Sequence, residues 1–404
     1  MSVELGRRVV QRARELQELG RDANQIAGML CEQDPEGLNF GIGIVLGGDG
    51  SPLPTSPTLL EYAAAELRSS ASGRYMSSGS SLEAFKERAL SFQRVPRELW
   101  DRFVVALPSD AGTGAVRLAL ELALLRSDAL TTLGVEELGW PAYRAMARST
   151  GRRFAEYPCD AVIDEPGVLP LYQAGPMNTT GLVQSRELAE SRAAAARRGG
   201  ATVILDRAYP GFELARALRE SGYAEVMRRS YELQLQPYLE AGVPCLIACS
   251  PTKAFVSFAL RPCGVLLAFC PGDELATRTQ LNTLMRARGS SFEHPATRAF
   301  VKASVERPEA LEDEHAAVLA RLAECEAAWR ELSRGTPIEP LYGERYAGLF
   351  RNPHLREGGD EELYGRHIYP VISGGRCRHN VTGLFGNRER AAEHVAAFAR
   401  WCYE

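Results

Sequence analysis

What this 404-residue chain lacks narrows its chemistry before anything it contains is weighed. It has no CxxC pair. Its nine cysteines, at 31, 159, 245, 249, 263, 270, 325, 377 and 402, are scattered, and several sit inside apolar runs such as "VPCLIAC" and "CGVLLAFC". They read as reduced core thiols of a cytoplasmic protein. The six histidines form no HExxH and no other close pair at ligand spacing, so a metal enzyme is not expected. No stretch approaches the roughly 18 apolar residues that a membrane helix needs. The amino terminus, "MSVELGRRVVQRARELQEL", is charged and helix-forming where a signal peptide would carry an apolar core. Positive charge is not in excess either: 47 Lys and Arg against 51 Asp and Glu give a net charge of -4. That leaves no basic field of the kind nucleic acid or an anionic membrane demands, and small-molecule chemistry becomes the starting expectation.

What is present is alternation. Between about 55 and 305, short apolar runs ("RFVVAL", "ATVILD", "PCLIACS", "GVLLAFC") alternate with longer helical patterns such as "AVRLALELALL" and "SRELAESRAAAARR". This predicts βα units and an α/β fold whose largely parallel sheet is buried on both faces. From about 306 the texture changes to long Ala/Glu/Arg-rich helices, then a strand at "HIYPVIS" and a closing helix over "RERAAEHVAAFARWCYE". The reading is an arm over 1–55, a large domain over 56–305 and a smaller α+β domain over 306–404, to which the arm contributes. The segment "GIGIVLGGDGSPLPTSP" reads as the joining loop.

In open parallel sheets ligands bind beyond the carboxyl ends of the strands, so the residues just after each apolar run carry the interest. After "RFVVALPS" comes "DAGTGA", a glycine-bearing turn opening into a helix. Its free amides at Ala111, Gly112 and Thr113 suit an anion such as phosphate, although such turns are often only turns. Asp206 ends "ATVILD", with Tyr209 three residues on. The pair reads either as a carboxylate for a cationic ring nitrogen with a phenol beside it, or as a helix cap and a core tyrosine. Asn178, in "NTTG", is by itself a turn-former. Lys253 follows "PCLIACS" in an apolar setting. There it is either a dehydrated amine nucleophile of lowered pKa or a lysine whose stem is buried and whose amine reaches water.

Taken in order, these stretches resemble the fold type I enzymes that depend on pyridoxal phosphate (PLP), specifically the class I aminotransferases near aspartate aminotransferase. "LNFGIGI" resembles the family's amino-terminal substrate loop, "GTGA" its phosphate turn, "GWPAY" its ring-stacking segment and "NTTG" its NPTG. "DRAYPGF" resembles its D-x-A-Y-x-G-F, "SPTKAFVSFALRPCG" its S-x-x-K with an arginine eight beyond, and "RHNVTGL" its R-x-N-x-x-G-L. The resemblance spans most of the chain. It implies a large domain with a mostly parallel seven-stranded sheet between helices, plus the smaller α+β domain. It also implies a Schiff base between Lys253 and PLP, with Lys253 then shuttling the proton between the substrate Cα and C4′. Asp206 would hold the pyridine nitrogen protonated, Tyr209 and Asn178 would bond the ring oxygen, and Trp140 would stack on the ring. Ala111, Gly112, Thr113, Ser250 and Arg261 would hold the phosphate, joined by Tyr75 from a neighbouring subunit of a homodimer. Arg378 would take the substrate α-carboxylate as a bidentate pair, with Ile42 and Gly43 on the loop that closes over it and Asn178 and Trp140 also facing the substrate. Arg286, with Arg288 close by, stands where a second arginine reads a distal carboxylate across the dimer, so an anionic substrate end is expected.

The sequence also departs from the family pattern. Thr179 replaces the proline of NPTG, Tyr143 replaces a histidine after the stacking tryptophan, and Gln173 and Met177 stand where aspartate aminotransferases carry histidines. The implied activity is amino-group transfer between an α-amino acid and a 2-oxo acid. The runner-up keeps PLP and Lys253 for β- or γ-elimination, replacement or cyclisation in a specialised biosynthetic pathway. A non-catalytic binding protein on the same fold is a third reading, and joint retention of Lys253, Asp206, Tyr209, Arg261 and Arg378 argues against it.

Overall fold

The computed structural model describes residues 2–69, 77–290, 293–384 and 388–404, so Tyr75 lies outside the described residues. Two amino-terminal helices, α1 (Ser2–Glu18) and α2 (Ala23–Glu32), lead to a two-residue strand, β1 (Leu38–Asn39). A capping box starts α2: the Asp22 carboxylate accepts from the amides of Asn24 and Gln25, and Gln25 returns a bond to the Asp22 amide. Helices α3 (Pro57–Arg68) and α4 (Leu82–Phe92) then precede the main sheet.

That sheet has seven strands: β2 (Phe103–Ala106), β3 (Thr132–Glu136), β4 (Arg153–Tyr157), β5 (Val168–Gln173), β6 (Val203–Arg207), β7 (Cys245–Cys249) and β8 (Val265–Phe269). Their order is β2-β8-β7-β6-β5-β3-β4, and β8 alone runs antiparallel to its neighbours. Alternate residues feed two cores. Val104, Leu133, Leu171, Ile204, Leu246 and Leu266 face α5 (Ala111–Arg126) and α6 (Ala142–Ser149). Val105, Tyr172, Leu205, Ile247 and Leu267 face α3, α4 and the helix Pro295–Glu306. With both faces covered, β6, β7 and β8 are buried throughout, which is why they read as continuous apolar runs.

Beyond the long helix Pro308–Leu332, an antiparallel sheet forms from the strands 350–351, 354–355, 371–373, 376–380 and 402–403. The expected closing helix stops at Trp401. Cys402 and Tyr403 instead leave it to pair antiparallel with Leu355 and His354. The strands 371–373 and 376–380 are joined by Gly374–Gly375, both at positive φ (57° and 70°), the two-residue hairpin geometry that glycine supplies at least cost. Strand β1 pairs in parallel with Ile368–Tyr369, which brings the loop that follows it against strand 376–380.

A buried ion pair anchors this half. Arg351 donates to Glu326 at 2.7 Å, with both side chains essentially inaccessible, and its Nε and Nη1 donate to the carbonyls of Leu341, Ala347, Gly348 and Phe350. Glu326→Ala leaves that guanidinium buried without its counter-charge, and a loss of about 3–5 kcal/mol in unfolding free energy is expected. Urea denaturation of the variant beside the parent measures it.

Candidate active site

The site gathers at the carboxyl ends of β2, β5, β6 and β7. Helix α5 opens on Asp110 and Ala111, both in left-handed conformation (φ 67° and 53°), which turns the first amides of the helix outward from the end of β2. The amides of Ala111, Gly112 and Thr113 precede the first intrahelical bond, which Gly114 makes to Asp110, and so form an anion-binding helix start. A side chain at 112 is impossible here: a Cβ would come within 2.5 Å of the Cβ of Ser250. The glycine thus seats this turn directly on the segment that carries Lys253. Ser250 is buried, its hydroxyl 2.8 Å from that of Thr252.

Asp206, near the end of β6, is buried with its Oδ2 accepting from the Tyr143 hydroxyl at 2.6 Å. Burial pushes its carboxyl up to about 6, against the opposing pull of the Tyr143 hydroxyl and the Ala208 amide. Tyr143 also meets Trp140 edge-on, with ring centroids 5.4 Å apart. The residue standing in place of the expected histidine thus donates directly to Asp206. Gln173 plays a different part: its Oε1 accepts from the Asn178 amide at 2.8 Å. Asn178 donates to the Tyr209 hydroxyl at 3.2 Å, and its own Oδ1 is buried without a partner. Thr179 sits at φ 130°, a value the proline ring forbids, which explains why proline is absent from this turn.

Lys253 lies on the short turn Pro251–Ala254, its Nζ donating to the Gly43 carbonyl at 2.6 Å. Burial pulls its amine down to about 8, with the positive charge of Arg378 adding to the effect. Arg378 comes from strand 376–380. Its Nη2 donates to Asn24 Oδ1 and to the Gly41 carbonyl, and its guanidinium lies over the Phe350 ring. The intervening loop is fixed from both sides. Asn39 Oδ1 accepts from the amides of Gly41 and Ile42, and Asn380 Nδ2 donates to the carbonyls of Ile42 and Ile44.

Lys253, Asp206, Tyr209, Asn178, Trp140, Ser250, the turn at 111–113, Ile42, Gly43 and Arg378 thus converge on one region. Arg261 is exposed, with a left-handed backbone (φ 42°) and its guanidinium 5.8 Å from the Phe258 ring centroid. Arg286 is exposed on the helix Glu274–Gly289, while Arg288 donates to the Gly114 carbonyl and faces Glu121. Asn24 and Phe350, both in contact with Arg378, escaped sequence reasoning: neither sits in a motif, and Asn24 is 354 residues away from its partner. Among the described residues there is no group of side chains that could hold a metal ion, and no helix long and apolar enough to cross a membrane.

Among curated proteins, none matches this sequence. Solved structures do. An aromatic-amino-acid aminotransferase from Burkholderia pseudomallei, covalently bound to pyridoxal phosphate, superposes with a TM-score of 0.78 at 18% identity, covering 94% of this chain and 96% of its own. The cytoplasmic aspartate aminotransferase of Giardia lamblia gives 0.74 at 18% identity, covering 94% and 95%. The Saccharomyces cerevisiae cytoplasmic aspartate aminotransferase gives 0.72 at 19%, covering 94% and 96%. At these identities the likeness establishes the fold, that of the fold type I enzymes. The family model for aminotransferases of class I and II matches residues 35–333, about three quarters of the sequence, and the chain belongs to that family of PLP-dependent transferases.

Proposed function

We propose that the protein transfers an amino group between an α-amino acid and a 2-oxo acid, with Lys253 as the residue joined to PLP. The observation that carries this reading is the buried Lys253 amine, lowered to about 8 and set near the guanidinium of Arg378. The other residues fit the group. Asp206, raised by burial and served only by neutral donors, suits a cationic ring nitrogen. The free helix-start amides at 111–113 suit a phosphate, and the unpartnered Asn178 Oδ1 offers an acceptor for one more donor. Bound there, PLP supplies an aldehyde that captures an amine and a ring that accepts an electron pair.

The chain's own residues do the rest. Lys253 Nζ, partly neutral near pH 8, would take the proton from the substrate Cα and hold it for return. Asp206 would keep the ring nitrogen protonated, Tyr209 and Asn178 would hold the ring oxygen, and Trp140 would stack on the ring. Ser250 and, from a second subunit, Tyr75 would complete the phosphate site, which Arg261, exposed beside Phe258, would have to swing in to join. Arg378 reads the α-carboxylate under Ile42 and Gly43. Arg286, exposed and without a partner among the described residues, is the candidate for an anionic substrate end across a homodimer interface. The division at about 55 and 305 belongs to the same reading, supported by confinement of the seven-stranded sheet to 103–269. So does a cytoplasmic location, in keeping with nine free cysteines. Membership in an aminotransferase family does not favour the elimination, replacement or cyclisation route.

Three outcomes are expected. Single amino acids added to the PLP-loaded protein bleach the visible band of the lysine-bound cofactor only when the true donor is present, with the matching 2-oxo acid released in equal amount. A band that survives every donor, or returns without an oxo acid, overturns the assignment. Capture of PLP by the apoprotein quickens as pH rises through about 8 and levels off above it, because only the neutral Lys253 amine attacks the aldehyde. Stopped-flow absorbance follows this, and Lys253→Ala abolishes it. Sedimentation equilibrium returns twice the 44.2 kDa chain mass.

A further inference from the structure

Arg378, as it stands, has no free two-point edge to offer a carboxylate. A guanidinium presents two such edges, Nε with Nη2 and Nη1 with Nη2, and both need Nη2. Both Nη2 hydrogens are engaged, one by Asn24 Oδ1 at 2.6 Å and one by the Gly41 carbonyl at 2.8 Å. Nε is buried without a partner, and Nη1 has none among the described residues. The Phe350 ring, 4.4 Å from the guanidinium carbon, restricts rotation that would present the group differently. A bidentate pair therefore requires one acceptor to leave.

The two acceptors differ in how readily they can leave. Gly41 belongs to the loop fixed by Asn39 and Asn380. Asn24 is an exposed residue in the first turn of α2, and its backbone amide is satisfied by Asp22 independently of its side chain. Its side chain can swing away without opening the helix cap. We propose that Asn24 is a built-in competitor: its side-chain amide holds a hydrogen of Arg378 that the substrate α-carboxylate needs, and substrate binding displaces it. The inference rests on the assignment of Arg378 to that carboxylate. A charged acceptor binds a guanidinium more strongly than a neutral amide, so displacement runs forward. The observed affinity is lowered by the fraction of molecules in which the position is occupied. A two-step transfer binds and releases a carboxylate in each half, and the returning amide hastens each release.

The test is calorimetric titration of the PLP-loaded protein with two unreactive carboxylates, maleate and 3-phenylpropionate. Asn24→Ala tightens binding by about 3- to 10-fold, the worth of one ordinary hydrogen bond. Asn24→Asp, which installs a charged competitor, weakens it at least as much. Arg378→Lys weakens it whichever residue stands at 24. If Asn24→Ala weakens binding or leaves it unchanged while Arg378→Lys loses it, the competitor idea is overturned and Asn24 is an orienting partner of the arginine. If Arg378→Lys binds both probes as tightly as the parent, the carboxylate assignment itself fails.

Discussion

Burial of one amine governs the arrangement around it. An ammonium taken out of water is costly unless it is paired or loses its proton, and among the described residues Lys253 has no carboxylate partner. Its acceptor is a neutral carbonyl, that of Gly43, and its charged neighbour is another cation, Arg378. Burial and the Arg378 charge push toward the neutral amine, the form able to attack an aldehyde. The opposite logic holds at Asp206, where burial raises a carboxyl that awaits a positive partner. Two groups of opposite type are thus each discouraged from its charge by dry surroundings, a pairing that suits a cofactor carrying an aldehyde at one end and a basic nitrogen at the other.

Support for this pair comes from two separate sheets. The parallel sheet delivers Asp206, Tyr209 and Lys253 from strand ends, where chain direction alone collects them. The antiparallel sheet delivers Arg378 from a strand whose register is set by the Gly374–Gly375 hairpin and its Val371 pairing. A one-residue slip there would turn Arg378 to the other face. Buried ion pairs fix each half: Arg192 with Glu136 beneath the Asn178 turn, and Arg351 with Glu326 beneath strand 350–351.

Much of the fold was legible because doubly covered strands are apolar throughout, as in "VILD", "CLIAC" and "VLLAF". Strand β4, "RFAEY", lies at the sheet edge and mixes exposed with part-buried positions, so its sequence carries no such run. Strand β3, "TLGVE", is fully buried yet holds Gly134, where any Cβ would press within 2.6 Å of Val168. The glycine needed for that approach weakens the strand signal. Site residues were legible where a motif placed them after a strand. The partners that set their state, Tyr143 on Asp206 and Asn24 on Arg378, come from tertiary contacts, which local pattern cannot announce.

Asn380 has a consequence beyond holding a loop. Its amide nitrogen grips the carbonyls of Ile42 and Ile44, on either side of the Gly43 carbonyl that receives Lys253, while its own strand carries Arg378 two residues earlier. The guanidinium and the amine's acceptor are thus mounted on one rigid bracket. Any tilt of the antiparallel sheet carries both together, so the spacing between them works as a fixed gauge. Lys253, carried by the other sheet, is tied to that bracket through its bond to the Gly43 carbonyl.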